Sequence, residues 1–155
     1  MKIMTNLLGE FECSIDPKGR VMLPAALKKQ IPHAAKNRFV INRGFEGCLV
    51  LYPMNEWDIE SAEVNKLNMY IKENREFMRA FRNGATELSL DNNNRLLLPK
   101  NLLQFAGINK EIILFAYSNR IEVWAKGAYE KAMKTEPESY SRLAEKVMGK
   151  REEPK

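Results

Sequence analysis

Residues 9–24 read Gly9-Glu-Phe-Glu-Cys-Ser-Ile-Asp-Pro-Lys-Gly-Arg-Val-Met-Leu-Pro24, and the segment returns as Gly84-Ala-Thr-Glu-Leu-Ser-Leu-Asp-Asn-Asn-Asn-Arg-Leu-Leu-Leu-Pro99. The offset is 75 residues without a gap, and Gly, Glu, Ser, Asp, Arg, Leu and Pro recur in register. At four of the nine positions where the two copies differ, one apolar side chain replaces another. This duplication predicts two related halves about an internal pseudo-twofold axis, with a symmetric binding surface.

The length of the chain favours two halves that fold together. Its 155 residues would make one large domain or two small ones, and a half of about 75 residues buries too little surface to fold well alone. We therefore expect intertwined halves around one shared core. The longest apolar run, Ile112–Tyr117, is too short to span a membrane and no signal peptide is recognisable, so we expect a soluble, cytoplasmic protein.

Cysteine and histidine are scarce in the sequence. Cys13 aligns with Leu88 of the second copy, so we expect it to be a small buried apolar residue in a reducing compartment. His33 is the only histidine, and no Cys-x-x-Cys motif or carboxylate cluster accompanies it. The sequence therefore predicts no metal site and no cofactor.

The net charge is +5, and the basic residues are unevenly distributed. No acidic residue lies between positions 18 and 43, a stretch with seven basic residues: Lys18, Arg20, Lys28, Lys29, Lys36, Arg38 and Arg43. The equivalent stretch, 92–110, is also free of acids but holds only Arg95, Lys100 and Lys110. Such a stretch forms either a solvated basic face or a phosphate-binding surface, and the complete absence of acids favours the second.

An Asp-x-x-x-Arg pair brackets a predicted turn in each copy. Alternating residues predict a half-buried strand before each turn and a short strand after it. Asp16 and Asp91 are expected to close the turns by accepting backbone N–H groups, while Gly19 and Asn94 can adopt a positive φ. Catalysis by these pairs would need a third group and a pocket, and the sequence offers no Ser–His, Lys or metal constellation beside them.

The remaining pattern predicts the same order of elements in both halves. A proline starts a short helix after the second strand, and a β-hairpin completes the half. We divide the chain into a first repeat (7–54), connector helices (55–83), a second repeat (84–127), and C-terminal helices with a disordered charged tail (128–155). Asn55 is the expected N-cap of the connector. Its apolar residues at helical spacing favour packing over a cofactor site: Val64, Leu67, Ile71, Met78 and Phe81.

These motifs resemble the MraZ family of the AbrB-like superfamily of transcription regulators. The resemblance rests on the duplicated Asp-x-Lys-Gly-Arg segment, on Tyr52-Pro-Met-Asn-Glu-Trp57 and on Ser118-Asn-Arg-Ile-Glu-Val-Trp124, and it extends from Leu8 to about Met133. It implies a mainly β fold with peripheral helices, in which two swapped-hairpin repeats build one double-split β-barrel. It also implies ring-like homo-oligomers on double-stranded DNA, at short direct repeats upstream of the division and cell-wall gene cluster.

The resemblance assigns DNA binding to the turns. Arg20 is the expected principal contact with support from Lys18, while Lys28, Lys29 and Arg43 would engage phosphates. The second turn lacks a base between Asp91 and Arg95, so the sequence favours the first copy as the stronger contact. Arg95 could still reach a phosphate, and asparagines can read adenine edges.

Two other functions are compatible with parts of the sequence. AbrB-like barrels also occur in antitoxins, and the segment around Tyr140–Met148 could be a partner-binding arm. An enzyme acting on nucleic acid would need a carboxylate cluster or a nucleophile, which the sequence lacks. We therefore expect a nucleoid-associated DNA-binding protein with no enzymatic activity, no membrane contact and no small-molecule substrate.

Overall fold

The computed structural model describes residues 5–149 of the chain. The repeat units contain eight strands, the short helix after the second strand of each repeat follows a proline, and two longer helices connect the repeats. In chain order the elements are β1 (Leu7–Ser14), β2 (Arg20–Met22), α1 (Ala25–Lys28), β3 (Arg38–Arg43), β4 (Leu49–Pro53), α2 (Met54–Asn65), α3 (Lys72–Arg82), β5 (Thr86–Ser89), β6 (Arg95–Leu97), α4 (Lys100–Phe105), β7 (Glu111–Ser118), β8 (Arg120–Ala125), α5 (Lys126–Ala132) and α6 (Pro137–Met148).

The two repeats exchange their first strands. Six strands form one antiparallel sheet in the order β1-β7-β8-β4-β3-β5, and β2 and β6 form a separate antiparallel ladder. The first strand of repeat 1 thus pairs with repeat 2 through β7, and the first strand of repeat 2 pairs with repeat 1 through β3. This confirms the predicted β architecture with peripheral helices and its intertwined halves, while closure into a double-split barrel stays a prediction.

The pseudo-twofold axis predicted from the repeat is visible in the strand registers. In the β2–β6 ladder Val21 pairs with Leu96, which is its equivalent in the second copy. Cys13 pairs with Ile112 across β1 and β7, and the equivalent Leu88 pairs with Phe39 across β5 and β3. A residue that pairs with its own equivalent lies on the axis, so the ladder sits at the centre of the symmetry.

One hydrophobic core serves both halves. It combines side chains from the sheet, the ladder and the short helices, among them Leu27, Ile41, Leu96, Leu102 and Ile112, all at most 1% exposed. Cys13 packs against this core as a half-buried residue, and Cys48 is fully buried in a smaller cluster. Burial raises the pKa of the Cys48 thiol to about 12 and also raises the pKa of the Cys13 thiol, so both cysteines pack as protonated, apolar side chains.

The connector differs from its prediction in two respects. Asn55 is not the N-cap: Pro53 takes that position, and Asn55 lies inside the first turn of α2. Pro53 fits there because its fixed φ suits a helix start and its missing N–H costs nothing. The apolar stripe is divided between α2 and α3 rather than lying on one continuous helix, because residues 66–71 leave the helical path.

The connector packs on the sheet through aromatic residues. The Trp57 ring stacks on Phe81 with centroids 5.2 Å apart and planes within 2° of parallel. Asn42 of β3 donates a hydrogen bond from its side chain to the Phe81 carbonyl oxygen. Part of the predicted stripe therefore packs against the protein itself, with Phe81 at its centre.

The C-terminal part has two helices within the described residues. Helix α5 packs against the sheet through the buried Tyr129, and α6 covers the predicted segment around Tyr140–Met148. The predicted disorder beyond Gly149 lies outside the described residues. Among residues 5–149, no helix combines the length and apolar character needed to cross a lipid bilayer.

Candidate nucleic-acid interface

The first Asp-x-x-x-Arg turn is held together by one carboxylate. Asp16 Oδ1 accepts the backbone N–H groups of Lys18 and Arg20 at 3.0 and 2.9 Å. Its Oδ2 accepts the guanidinium Nε–H of Arg20 at 2.7 Å. Gly19, which ends the turn, has φ +89° and donates its N–H to the Asp16 carbonyl oxygen at 2.9 Å. The turn therefore fixes both the backbone and the direction of the arginine side chain.

The second turn reproduces this geometry without lysine or glycine. Asp91 Oδ1 accepts the N–H groups of Asn93 and Arg95 at 2.8 and 2.9 Å, and Oδ2 accepts Nε–H of Arg95 at 2.9 Å. Asn94 takes the position of Gly19 with φ +60°. Both turns are thus held by their aspartate, and the residue before each arginine has a positive φ.

The same contacts shift the acidities of the two carboxyl groups. Hydrogen bonds from the backbone N–H of Arg20, assisted by its side chain and its charge, lower the pKa of Asp16. Hydrogen bonds from Arg95 and Asn93 lower the pKa of Asp91 in the same way. Both carboxylates are therefore charged at neutral pH, so each arginine keeps a fixed counter-ion.

The two arginines lie on one face of the ladder. Arg20 pairs with Leu97, and Met22 pairs with Arg95. Directly opposite residues of an antiparallel pair project to the same side of a sheet, and the intervening Val21 is buried on the other side. The outer face of the ladder thus carries two arginines at diagonal corners, with Cα atoms about 8 Å apart given ordinary strand spacings.

Both guanidinium groups keep their terminal nitrogens available. In the described part of the chain, the side-chain hydrogen bonds of Arg20 and Arg95 use only Nε. Their side chains are 29% and 27% exposed. Each arginine can therefore donate from its two terminal amino groups to a ligand while the aspartate holds its inner edge.

The strand exchange places lysines of one repeat beside the turn of the other. The groove at the Asp16 turn is lined by Lys18 together with Lys100 and Lys110 of repeat 2. The groove at the Asn94 turn is lined by Lys28, Lys29 and Lys36 of repeat 1. Leu23 donates its N–H to the Asn94 carbonyl oxygen, and α1 begins two residues later. Leu98 donates its N–H to the Gly19 carbonyl oxygen, and α4 begins two residues later. Each turn therefore has three lysines nearby.

The predicted site residues consequently separate into three groups. Arg20, Lys18 and their turn lie together, and Arg95 lies on the same face, as its position in the repeat indicates. Lys28 and Lys29 lie beside the second turn and not beside Lys18. Arg43 lines neither groove and places its guanidinium over the Phe105 ring, 4.7 Å from the centroid.

Some residues at the site were not identified as site residues in the sequence. Lys36, Lys100 and Lys110 line the grooves, and Met22 and Leu97 are exposed on the ladder between the arginines. The exposure of Met22 and Leu97 could have been inferred from the sequence, because a strand residue two positions after each arginine faces the same side of the ladder as that arginine. The positions of the lysines could not, since their placement depends on the strand exchange.

The geometry suits an anionic, extended ligand better than a reaction. Each Asp is engaged by backbone and arginine donors, which leaves no free base beside a nucleophile. Within residues 5–149 no three His, Cys, Asp or Glu side chains are placed to hold a metal ion. An exposed ladder face with two fixed arginines and flanking lysines has the donor set expected for phosphates and base edges.

Comparisons with known proteins agree over nearly the whole chain. A family description, "MraZ protein, putative antitoxin-like", matches twice, at residues 7–80 and 81–150. The transcriptional regulator MraZ of Christiangramia forsetii is 46% identical over 147 residues, which are 94% of this chain and 95% of that protein. The proteins of the same name from Flavobacterium psychrophilum and Cytophaga hutchinsonii are 44% and 39% identical, over 94% and 90% of this chain and 94% and 93% of theirs.

Proposed function

The chain belongs to the MraZ family, and we propose that it is a transcriptional regulator that binds double-stranded DNA sequence-specifically through its two Asp-x-x-x-Arg turns. The observation that carries this proposal is the pair of arginines on the outer face of the ladder, each held at Nε by an aspartate. The Cα atoms of the two arginines lie about 8 Å apart given ordinary strand spacings, so the two side chains would reach separate base pairs of one duplex.

The chemistry of the pair suits guanine. Guanine presents two acceptors, O6 and N7, in the major groove, and arginine donates to both in the commonest specific contact between protein and DNA. Because the side-chain hydrogen bond of each arginine is made at Nε, the terminal amino groups of Arg20 and Arg95 stay available to a base. Holding the side chain in advance also reduces the conformational entropy that binding removes.

The flanking lysines would supply affinity without sequence information. The three at each groove lie on both sides of the ladder, where the sugar–phosphate strands of a duplex would pass. Contacts to phosphates release counter-ions, so binding should weaken steeply with salt. Arg43 is the least suited of the predicted contacts, because its guanidinium is stacked on Phe105.

Our proposal for the oligomeric assembly rests on the resemblance to the MraZ family. We propose that copies of the chain form a ring-like homo-oligomer, which presents the same face from successive subunits to short direct repeats. Linked sites raise avidity without new contacts. The proposed operator lies upstream of the division and cell-wall gene cluster, with the gene of this protein in the same operon, and the protein would act on the nucleoid in the cytoplasm.

A footprint on the DNA upstream of the protein's own gene tests this function. We expect protection of regularly spaced direct repeats at physiological salt, and loss of that protection when Arg20 and Arg95 are both changed to alanine. The double variant should retain the unfolding midpoint of the wild type within a few degrees, because each aspartate keeps its two hydrogen bonds to backbone N–H groups when the guanidinium group is removed. Uniform, sequence-independent protection would contradict specific binding.

A second function, protein interaction of the antitoxin type, is favoured by one observation. Helix α6 exposes its apolar side chains along its length: Tyr140, Leu143, Val147 and Met148. A helix with an uncovered apolar face can serve as an arm for a partner. Copurification of a small protein in equal amount, abolished by changing Leu143 and Val147 to serine, would support this function in place of DNA regulation.

A further inference from the structure

Two exposed apolar side chains lie on the proposed DNA-binding face. Met22 is 60% exposed and Leu97 is 57% exposed, although both belong to β-strands. The two occupy equivalent positions in the two copies of the repeat. Their strand neighbours Val21 and Leu96 are buried and fill the core beneath the ladder, so the exposed pair is not needed for packing.

Each apolar side chain lies directly beside one of the arginines. Met22 faces Arg95 across the ladder, and Leu97 faces Arg20. Side chains opposite each other in an antiparallel pair have Cβ atoms about 5 Å apart. The face thus presents two units related by the pseudo-twofold axis, each with one guanidinium group and one apolar side chain.

We propose that Met22 and Leu97 contact the C5-methyl groups of thymines in the major groove, next to the guanines that Arg95 and Arg20 read. This inference rests on the proposed function. Thymine is the one base that presents a methyl group there, and apolar side chains are its usual partners. Because the two Cβ atoms of each unit are about 5 Å apart, the apolar side chain and the arginine would reach neighbouring base pairs, so each guanine should have a thymine close to it in the site.

The charges around the apolar pair select DNA as its occupant. Lysines line the grooves at the two turns that flank the ladder, and the carboxylates of these turns, Asp16 and Asp91, are neutralised by the arginines. Another copy of this chain would need matching acids to cover such a face. The major groove offers negative charge and methyl groups together, and it is wide enough for a two-stranded β-ribbon.

The size of the effect follows from the apolar area removed from water. Burying one methyl-sized group should raise affinity about fourfold. Removing both apolar side chains should therefore lower affinity by about fifteenfold, and by less if one methyl group is only partly covered. This is large enough to separate from error in a binding titration.

Replacing thymine with uracil isolates this contact, because uracil lacks only the C5-methyl group. The duplex protected in the footprint is prepared with thymine and with uracil throughout, and both are titrated by fluorescence anisotropy. The wild type is compared with Met22→Ala, Leu97→Ala and the double variant, with Met22→Leu as the conservative change. Phe45→Ala serves as the matched control, because Phe45 is an 83% exposed apolar residue outside the ladder.

We expect the wild type, Phe45→Ala and Met22→Leu to prefer thymine DNA by about fourfold or more. The double alanine variant should bind both duplexes with one affinity, equal to that of the wild type for uracil DNA. The proposal is overturned if the thymine preference is the same in the wild type and in the double variant. It is also overturned if the double variant changes only the oligomeric state.

The outcome separates this inference from the proposed function. If the wild type protects no specific site at all, the proposed function fails and the inference fails with it. If the wild type binds its repeats specifically but tolerates uracil without any decrease in affinity, only the inference fails. Circular dichroism and the thermal midpoint of each variant establish that the fold is retained.

Discussion

The turn at residues 16–20 and the turn at residues 91–95 have almost the same geometry and different chemistry. Each aspartate accepts three hydrogen bonds, and the corresponding donor–acceptor distances in the two turns agree to within 0.2 Å. Between the Asp and the Arg, however, the first turn has Pro-Lys-Gly and the second has Asn-Asn-Asn. The Asp and the Arg that hold the turn together are thus shared, and all three residues between them have diverged.

The surroundings of the two turns reduce this difference. In the linear sequence the first copy holds most of the basic residues. In the fold each turn is flanked by lysines of the other copy, so that both turns have three lysines and one aspartate-bound arginine. The comparison teaches that charge counted along a repeat is a poor guide to charge at a site when the repeats exchange elements.

The largest expected effect compares the two arginines directly. Arg20→Ala and Arg95→Ala should each weaken specific DNA binding by about 5- to 150-fold, because each removes a bidentate contact worth about 1–3 kcal/mol. We expect similar decreases, since both side chains have the same aspartate contact and similar exposure. The measurement is the Kd on the protected duplex at fixed salt.

The control for this pair is Arg79→Ala, an exposed arginine on α3, which should bind as the wild type does. If one of the two turn variants kept full affinity and specificity, its turn would have no part in reading DNA. The equivalence of the turns would then be limited to their backbones.

The turns should differ in their tolerance of a side chain. Gly19 has φ +89°, and an added Cβ would lie 3.4 Å from the Leu98 carbonyl oxygen, so Gly19→Asn should lower the free energy of unfolding by about 1–2 kcal/mol. Asn94 has φ +60°, where asparagine is well accommodated, so Asn94→Gly should change the free energy of unfolding by less than about 0.5 kcal/mol. Urea unfolding measures both, and equal effects would contradict the difference in backbone geometry.

The lysines test whether charge is balanced between the grooves. Changing Lys28 and Lys29 together to glutamine should reduce the slope of log K against log salt by about one unit for every phosphate that the variant no longer binds. The same change at Lys100 and Lys110 should have an equal effect. Lys66→Gln is the matched control, because Lys66 pairs with Glu63 on α2. A change in slope for only one of the pairs would show that one groove alone meets the DNA backbone.

The smallest effect concerns acid stability. The pKa values of Asp16 and Asp91 are lowered in the folded state, below about 3.9 for an unperturbed aspartate. Their stabilising contribution is therefore complete above about pH 4 and disappears as the pH falls through the folded-state pKa. Asp16→Asn and Asp91→Asn should each flatten the fall of the urea midpoint below pH 4. An unchanged acid profile in both variants would show that neither ion pair affects stability.

The sequence predicted the parts of the fold that local chemistry decides. The alternating strands, the Asp-pinned turns and the positive φ of Gly19 and Asn94 each follow from residues within a short segment. The N-cap prediction at Asn55 was wrong for an equally local reason: Pro53 is also a favourable helix start, and it comes first. The prediction of paired arginines followed from the repeat itself.

The arrangement of lysines could not be predicted because it depends on contacts between distant segments. Lys28 and Lys100 each lie beside a turn of the opposite repeat only because the ladder pairs β2 with β6 in antiparallel register. The same register brings Met22 beside Arg95. A periodic pattern indicates which face a residue occupies, but it does not indicate the neighbour across a strand from the other half.

The exchanged first strands have a consequence for synthesis on the ribosome. β1 is translated first, yet its partner β7 ends at Ser118, so at about 5–20 residues per second some 5–20 seconds pass before the pair can form. During that interval the β3–β4 hairpin also lacks β5 and β8, which leaves two unpaired strand edges on the nascent chain. Such edges associate readily with other strands. Early release or a stalled ribosome should therefore yield aggregation-prone fragments, and chaperone binding to the first half would be part of the normal biogenesis of this fold.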